Sequence, residues 1–191
     1  MKLPRLVLAS ASPRRRELLQ QLGVPFEVIP AAAEEIAPKH LSPHEVCQVN
    51  AHRKARAVSR QHPDALVIGA DTVVALGLTI FGKPKDAEDA QKMLRALAGK
   101  THQVITGIAL MHLAARRERL FAVSTTVVFR KLTAAQIGEY VAKVHTLDKA
   151  GAYAIQEHGE MIVEKVNGSF FNVVGLPLER LEPELRDWQP R

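Results

Sequence analysis

Leu66-Val67-Ile68-Gly69-Ala70-Asp71-Thr72-Val73-Val74-Ala75-Leu76, turned by Gly77-Leu78 into Thr79-Ile80-Phe81, is the stretch whose reading settles the architecture. Its β-branched residues suit one long strand, and the glycine-containing break folds it back as a hairpin ending at Gly82-Lys83-Pro84. Strands and helices elsewhere mix without strict βαβ alternation, so a plain Rossmann arrangement is not expected. The pattern predicts an α/β protein with a mixed twisted sheet flanked by helices on both sides. Asp71 interrupts the apolar run. An ionised carboxylate there loses its hydration and persists only beside a cation, hydrogen-bond donors or a metal; the plain alternative is a strand-end aspartate capping a loop.

Toward the N-terminus, Leu6-Val7-Leu8-Ala9 reads as a strand, followed by Ser10-Ala11-Ser12-Pro13 and three arginines, Arg14, Arg15 and Arg16. Ser12 suits an N-cap, Pro13 the first helical position, and Leu18, Leu19 and Leu22 an apolar face ending at Gly23. Cations at this end oppose a helix dipole of about +0.5 charge, so a negative partner is expected. Free N–H groups, two serines and guanidinium forks together make an anion site, most naturally for phosphate. A solvated arginine-rich surface is the competing reading.

Between these segments, Phe26–Pro30 predicts a short strand with Glu34-Glu35 in the loop beyond it. Ser42-Pro43-His44-Glu45 is a capping box opening a helix to about Gln61, with Lys54 at the edge of its buried face. Past the hairpin, Asp86 caps a helix closed by Gly99; strands follow at His102–Leu113 and Leu120–Leu132, joined by the charged turn Arg116-Arg117-Glu118. Thr133-Ala134-Ala135-Gln136 opens another helix. Asp148–Gln156 is strand-like at best and leads into Met161-Ile162-Val163 and the turn Asn167-Gly168-Ser169. A last helix starts near Pro177, disturbed at Pro183 and frayed over about 184–191, in a single domain spanning 1–191.

Length and composition narrow the function. At 191 residues and 47% hydrophobic, the chain can bury a core. A net charge of +6 favours phosphorylated partners, yet only 5% of residues are aromatic, and no basic stretch interleaves with stacking rings. No stable nucleic-acid complex is expected. Cys47 is the only cysteine, which excludes an internal disulfide and fits a reducing cytoplasm. Too few apolar residues precede the arginines for a signal peptide, and Ala65–Phe81 falls short of the ~20 residues of a membrane span. Gly99-Lys100-Thr101 ends like a phosphate-binding loop, but Leu94 stands where its first glycine belongs. No zinc-protease or paired-cysteine motif occurs, the eight histidines lack ligand spacing, and His158 reads as an exposed loop residue. What remains is a set: Asp71 and Glu35 as carboxylates, Lys54, Lys83 and the arginines as cations. Together they suit metal-assisted chemistry on a polyphosphate.

Six ordered blocks carry a resemblance. Leu8-Ala9-Ser10-Ala11-Ser12-Pro13-Arg14-Arg15, Gly69–Val74, Gly82-Lys83-Pro84, Thr101–Val104 with Thr106-Gly107, Asp148–Tyr153, and Gly168-Ser169 through Asn172–Pro177 closely resemble the Maf nucleotide pyrophosphatases over roughly residues 4 to 180. The resemblance implies a Maf/inosine-triphosphatase-like fold with a cleft between two lobes, a homodimer, and hydrolysis of a nucleoside triphosphate to the monophosphate and pyrophosphate with Mg²⁺ or Mn²⁺. By it, Asp71 matches the proton acceptor, while Ser10, Arg14, Arg15, Glu35, Lys54 and Lys83 match residues around the phosphates and metal, the metal falling to Glu35 and Asp71. Arg14, Thr72 and Gln156 match the subgroup acting on dTTP and UTP, against the one acting on 7-methyl-GTP. The Gln156 amide offers a donor and an acceptor to the edge of thymine or uracil. Two departures bear on the base pocket: Ala154 replaces a usual glycine, and Glu157-His158-Gly159 replaces a more glycine-rich stretch.

The mechanism these residues suggest is in-line attack of water on the α-phosphorus, with the cations neutralising the chain and Asp71 either deprotonating or orienting the water. The family's historical name suggests a different class of function, a non-catalytic regulator of septum formation that senses nucleotides in the same pocket.

Overall fold

In the computed structural model, which describes residues 3–188, the central hairpin is formed by β3 (Leu66–Leu76) and β4 (Thr79–Phe81), paired antiparallel. The other strands are β1 (Leu6–Leu8), β2 (Glu27–Val28), β5 (Thr101–His112), β6 (Arg117–Phe129) and β7 (Val163–Asn167). The helices are α1 (Pro13–Gln20), α2 (Pro43–Ser59), α3 (Ala87–Leu97), α4 (Ala134–Lys143), α5 (Phe170–Val174) and α6 (Leu178–Arg186). The seven strands make one mixed sheet in the order β2-β1-β3-β5-β6-β7, with β4 attached to β3. β1 runs parallel to β2 and β3, and all other pairs are antiparallel.

The pairing splits the sheet where the sequence places Asp71. β5 covers one edge of β3 from Val67 to Ala75, so β1, paired at Leu66–Ile68, and β4, paired at Val74–Leu76, share the opposite edge. Between them, on that edge, Gly69–Val73 has no strand beside it among the described residues, and a cleft opens there. Side chains alternate across β3, so Asp71 faces α2 and Thr72 faces α1 and α5. On the Thr72 face, Leu6, Leu8, Leu66 and Ile68 bury against Leu18 and Leu19 of α1 and Leu181 and Leu185 of α6. At the other end, Val74, Val104 and Phe129 bury against Leu94 and Leu97 of α3 and Ile137 and Tyr140 of α4. These two cores are the lobes on either side of the cleft.

α2 lies unusually close to the sheet. A Cβ at Gly69 would fall 2.1 Å from the Ala51 carbonyl oxygen and 2.7 Å from the Ala55 nitrogen; one at Gly107 would fall 2.5 Å from the Cys47 carbonyl. Only glycine permits that approach, which brings the polar face of α2 within reach of Asp71.

Local signals hold up well. Ser42 and Thr133 make complete capping boxes, and the Asp86 side chain accepts from the Asp89 N–H. Four expectations need correction. Ser12 makes no side-chain cap; instead its N–H donates to Ser10 Oγ at 3.2 Å, because the tight turn brings that hydroxyl nearer. The charged turn falls at 113–116, with Arg116 left-handed at φ 50°, and Arg117 already begins β6. Asp148–Gln156 forms no strand: its only regular piece is a 3₁₀ turn at Ala150–Ala152, since left-handed Gly151 and Ala152 break extension. Fraying does not set in at 184, because Leu185 and Trp188 pack in the core and Arg117 lies over the Trp188 ring. Residues 189–191 lie outside the described ones.

Candidate active site

Asp71 is 4% exposed, and both its oxygens are engaged by α2. Lys54 Nζ lies 2.6 Å from Oδ1, and Asn50 Nδ2 donates to Oδ2 at 3.2 Å. Lys54 also holds Glu35 Oε1 at 2.7 Å, so the two carboxylates converge on one ammonium. Asn50 and Lys54 are four residues apart and share a helix face, which explains how one helix reaches both acids. Burial pushes the Asp71 carboxyl above the usual range, with Glu35 adding to it, against the opposing pull of Lys54 and Arg15. Burial acts upward on Glu35 too, but the Lys54 hydrogen bond and the charges of Lys54, Lys83 and Arg15 hold it below its ordinary value. The acid pair is thus differentiated, with Asp71 the more readily protonated.

The arginines divide on the opposite face. Arg15 turns inward: Nε donates to the Gly175 carbonyl at 2.9 Å, one terminal nitrogen to Ser10 Oγ at 3.2 Å and the other to Thr72 Oγ1 at 2.9 Å. Three of a guanidinium's five N–H groups are used, which leaves two for a ligand. Thr72 bonds onward to Thr106 at 3.0 Å, and Thr106 donates to the Asn172 carbonyl. Burial lowers the Arg15 pKa, with Asp71 and Glu35 opposing. Within the chain, neutral acceptors engage three N–H groups of this second arginine of the triplet. Arg14 has the expected negative partner, pairing with Asp148 Oδ2 at 2.9 Å, and Arg16 is exposed.

Across the cleft, Lys149 is buried, with its ammonium 2.9 Å from Asp148 Oδ1 and 3.2 Å from Glu157 Oε1 and donating to the His145 carbonyl. Burial acts upward on Asp148, but its hydrogen bonds to Lys149 and Arg14 bring it below the ordinary value. Gln156 lies on the segment that Glu157 anchors. Tyr140 Oη accepts from the Ala154 N–H at 3.1 Å and donates to the Ala154 carbonyl, so both backbone groups of that residue are fixed.

The cleft has two adjoining compartments. One is lined by Ser10, Lys54, Arg14, Arg15, Glu35 and Lys83. The other holds Asp71, Thr72, Asn50, Tyr153 and Gln156, and shares Arg14, Arg15, Glu35, Lys83 and Asp148 with the first. Ser10, Arg14, Arg15, Glu35, Lys54, Asp71, Thr72, Lys83 and Gln156 each line one compartment or both, and Arg16 lines neither. Thr72 lines the cleft while its hydroxyl accepts from Arg15. Three further residues join the site in the structure: Asn50, and Asp148 and Lys149 from a motif block that had carried no site role. Gly69 and Gly107, each inside a strand, were the available sign that a helix approaches closely enough to contribute Asn50.

No group of three or more histidine, cysteine, aspartate or glutamate side chains is arranged to hold a metal ion among the described residues. Glu35 and Asp71 present carboxylate oxygens 2.7 and 2.6 Å from the Lys54 ammonium, the hard-oxygen donor type that Mg²⁺ and Mn²⁺ take.

A family model described as Maf-like protein matches residues 5–188. The chain belongs to the Maf family. Among relatives named dTTP/UTP pyrophosphatase, one from Akkermansia muciniphila is 49% identical over 176 residues, covering 92% of each chain. One from Moorella thermoacetica is 48% identical, covering 93% of this chain and 92% of its own, and one from Bacillus cytotoxicus is 44% identical over 96% and 95%. In this Maf protein the motif blocks lie far apart in sequence yet meet at the split in the sheet: Arg15 bonds Thr72 across 57 positions and Gly175 across 160.

Proposed function

We propose that this protein is a nucleoside triphosphate pyrophosphatase acting on dTTP and UTP, releasing the monophosphate and pyrophosphate. The observation that carries the reading is the convergence of a buried, proton-avid Asp71 with Arg15, Lys54 and Lys83 in one cleft that ends at the Gln156 amide. The triphosphate lies along the cationic compartment, and the base reaches toward Gln156.

Water attacks the α-phosphorus in line. A new P–O bond forms, the bond to the β-phosphate oxygen breaks, and pyrophosphate departs with the electron pair. Asp71 accepts or orients the water proton, a role suited to a carboxyl held above its usual range. Arg15, Lys54 and Lys83 offset the charge building on the leaving group, and Ser10 and Arg14 steady the chain. Glu35 and Asp71 would hold a divalent cation, which supplies Lewis-acid neutralisation of phosphate charge when bound. Working as a homodimer on cytoplasmic nucleotides belongs to the same proposal.

The test is pyrophosphate release from a panel of canonical and modified nucleoside triphosphates with Mg²⁺ and with Mn²⁺. Turnover highest on dTTP and UTP is expected. Preference for 7-methyl-GTP overturns the specificity, and nucleotide binding without pyrophosphate release overturns the enzyme in favour of a sensor.

A further inference from the structure

Asn50 makes three hydrogen bonds that join parts of the site nothing else joins in the same way. Its Oδ1 accepts from the Ile36 N–H at 2.9 Å, and its Nδ2 donates to the Ile36 carbonyl at 3.0 Å and to Asp71 Oδ2 at 3.2 Å. The residue is 3% exposed, and the amide's two donors and its oxygen are all engaged. Residues 30–39 form no helix or strand, and the side chains that tie this loop to the rest of the described protein by hydrogen bonds are Asn50 and Lys54. Both come from one face of α2, and both bridge the same two segments: the loop at Glu35-Ile36 and the strand at Asp71.

The two bridges differ in kind. Lys54 is a charged side chain that lines the cationic compartment, so an arriving triphosphate competes with the carboxylates for its ammonium. Asn50 is neutral, fully bonded and held by backbone groups, and phosphate has little to offer it. We infer that Asn50 is a positioning residue that keeps the Glu35 loop and Asp71 converged when Lys54 turns to the substrate phosphates. It acts through Asp71 and Ile36. This inference rests on the pyrophosphatase reading of the same site.

The test compares the wild-type protein with Asn50→Leu, which is similar in size and removes all three bonds; Asn50→Ser stands in if the leucine variant does not fold. With dTTP and Mg²⁺, kcat is expected to fall about 10- to 100-fold while KM stays within about threefold. A residue serving stability alone would lower the melting temperature and leave kcat unchanged well below it. The second measurement is hydrogen–deuterium exchange of the peptide covering 33–38, with and without Mg²⁺ and a non-hydrolysable α,β-imido analogue of UTP. The wild-type loop should stay protected with the analogue, whereas in the variant exchange should quicken at least tenfold when the analogue is added. A variant kcat within twofold of wild type, or variant exchange indifferent to the analogue, overturns the inference. Wild-type protein that releases no pyrophosphate from any nucleotide sinks the enzymatic reading instead, and the exchange comparison still judges Asn50.

Discussion

The two ends of the cleft are built differently. At the end proposed to hold the phosphates, Asp71, Lys54, Asn50 and Arg15 come from β3, α2 and α1, regular elements whose backbone hydrogen bonds leave little freedom. At the end proposed to hold the base, Asp148 to His158 is a loop with a single 3₁₀ turn and left-handed Ala152 and His158, at φ 62° and 53°. That segment is held by side chains: Lys149 between two carboxylates, Tyr140 on the Ala154 backbone, and Tyr153 against His102 at 2.8 Å. Bond cleavage needs fixed geometry on the scale of a fraction of an ångström, whereas base choice can change with a loop. The difference implies that damage at one end should abolish turnover, and damage at the other should alter selectivity.

The strongest break is Asp71→Asn. Turnover should fall at least about 10³-fold, with nucleotide affinity within about tenfold, as read by pyrophosphate release and calorimetric binding. Retained turnover would remove Asp71 from the chemistry. Next is Gly69→Ala, which forces a Cβ to 2.1 Å from the Ala51 carbonyl and so pushes α2 off the sheet. A loss of about 3 kcal/mol is expected in denaturant unfolding, and surviving folded protein should turn over slowly because Lys54 and Asn50 are displaced.

At the end proposed to hold the base, Lys149→Met removes the ammonium that Asp148 and Glu157 share and leaves Asp148 with Arg14 alone. Discrimination between dTTP and other triphosphates should drop about tenfold, with kcat on dTTP changed less than about threefold. An equal loss of kcat would erase the division drawn between the two ends.

The smallest effect concerns pH. Burial pulls His102 down to about 4, against 6.5 for the free side chain, so the folded protein keeps it neutral where the unfolded chain binds a proton. The unfolded state then holds more protons between those values, and stability rises with pH. Its contribution is complete above about 6.5 and fades as pH falls toward 4, with about 1 kcal/mol of it lost by pH 5.5. His102→Gln should flatten that part of a melting-temperature profile between pH 7 and 5.

Much of this was legible in the chain. The hairpin, the capping boxes at Ser42 and Thr133, and the mixed sheet follow from patterns within a few residues. Asp71 announced itself as a charge in an apolar strand, and the arginine triplet as charge at the wrong helix end. The 148–156 loop resisted reading because its conformation depends on Lys149 and Tyr140 contacts, not on local periodicity.

Local sequence therefore determined most of the elements and the chemical kinds gathered in the cleft. It could not decide that Arg14 would meet Asp148 across 134 positions while Arg15 turned to carbonyl and hydroxyl oxygens. Nor could it assign Asn50 to both Ile36 and Asp71, 14 and 21 positions away. Caps and periodicity act over three or four residues, whereas those pairings depend on how closely α2 and the cleft walls approach. That distance is set by two glycines and the packing of the whole sheet.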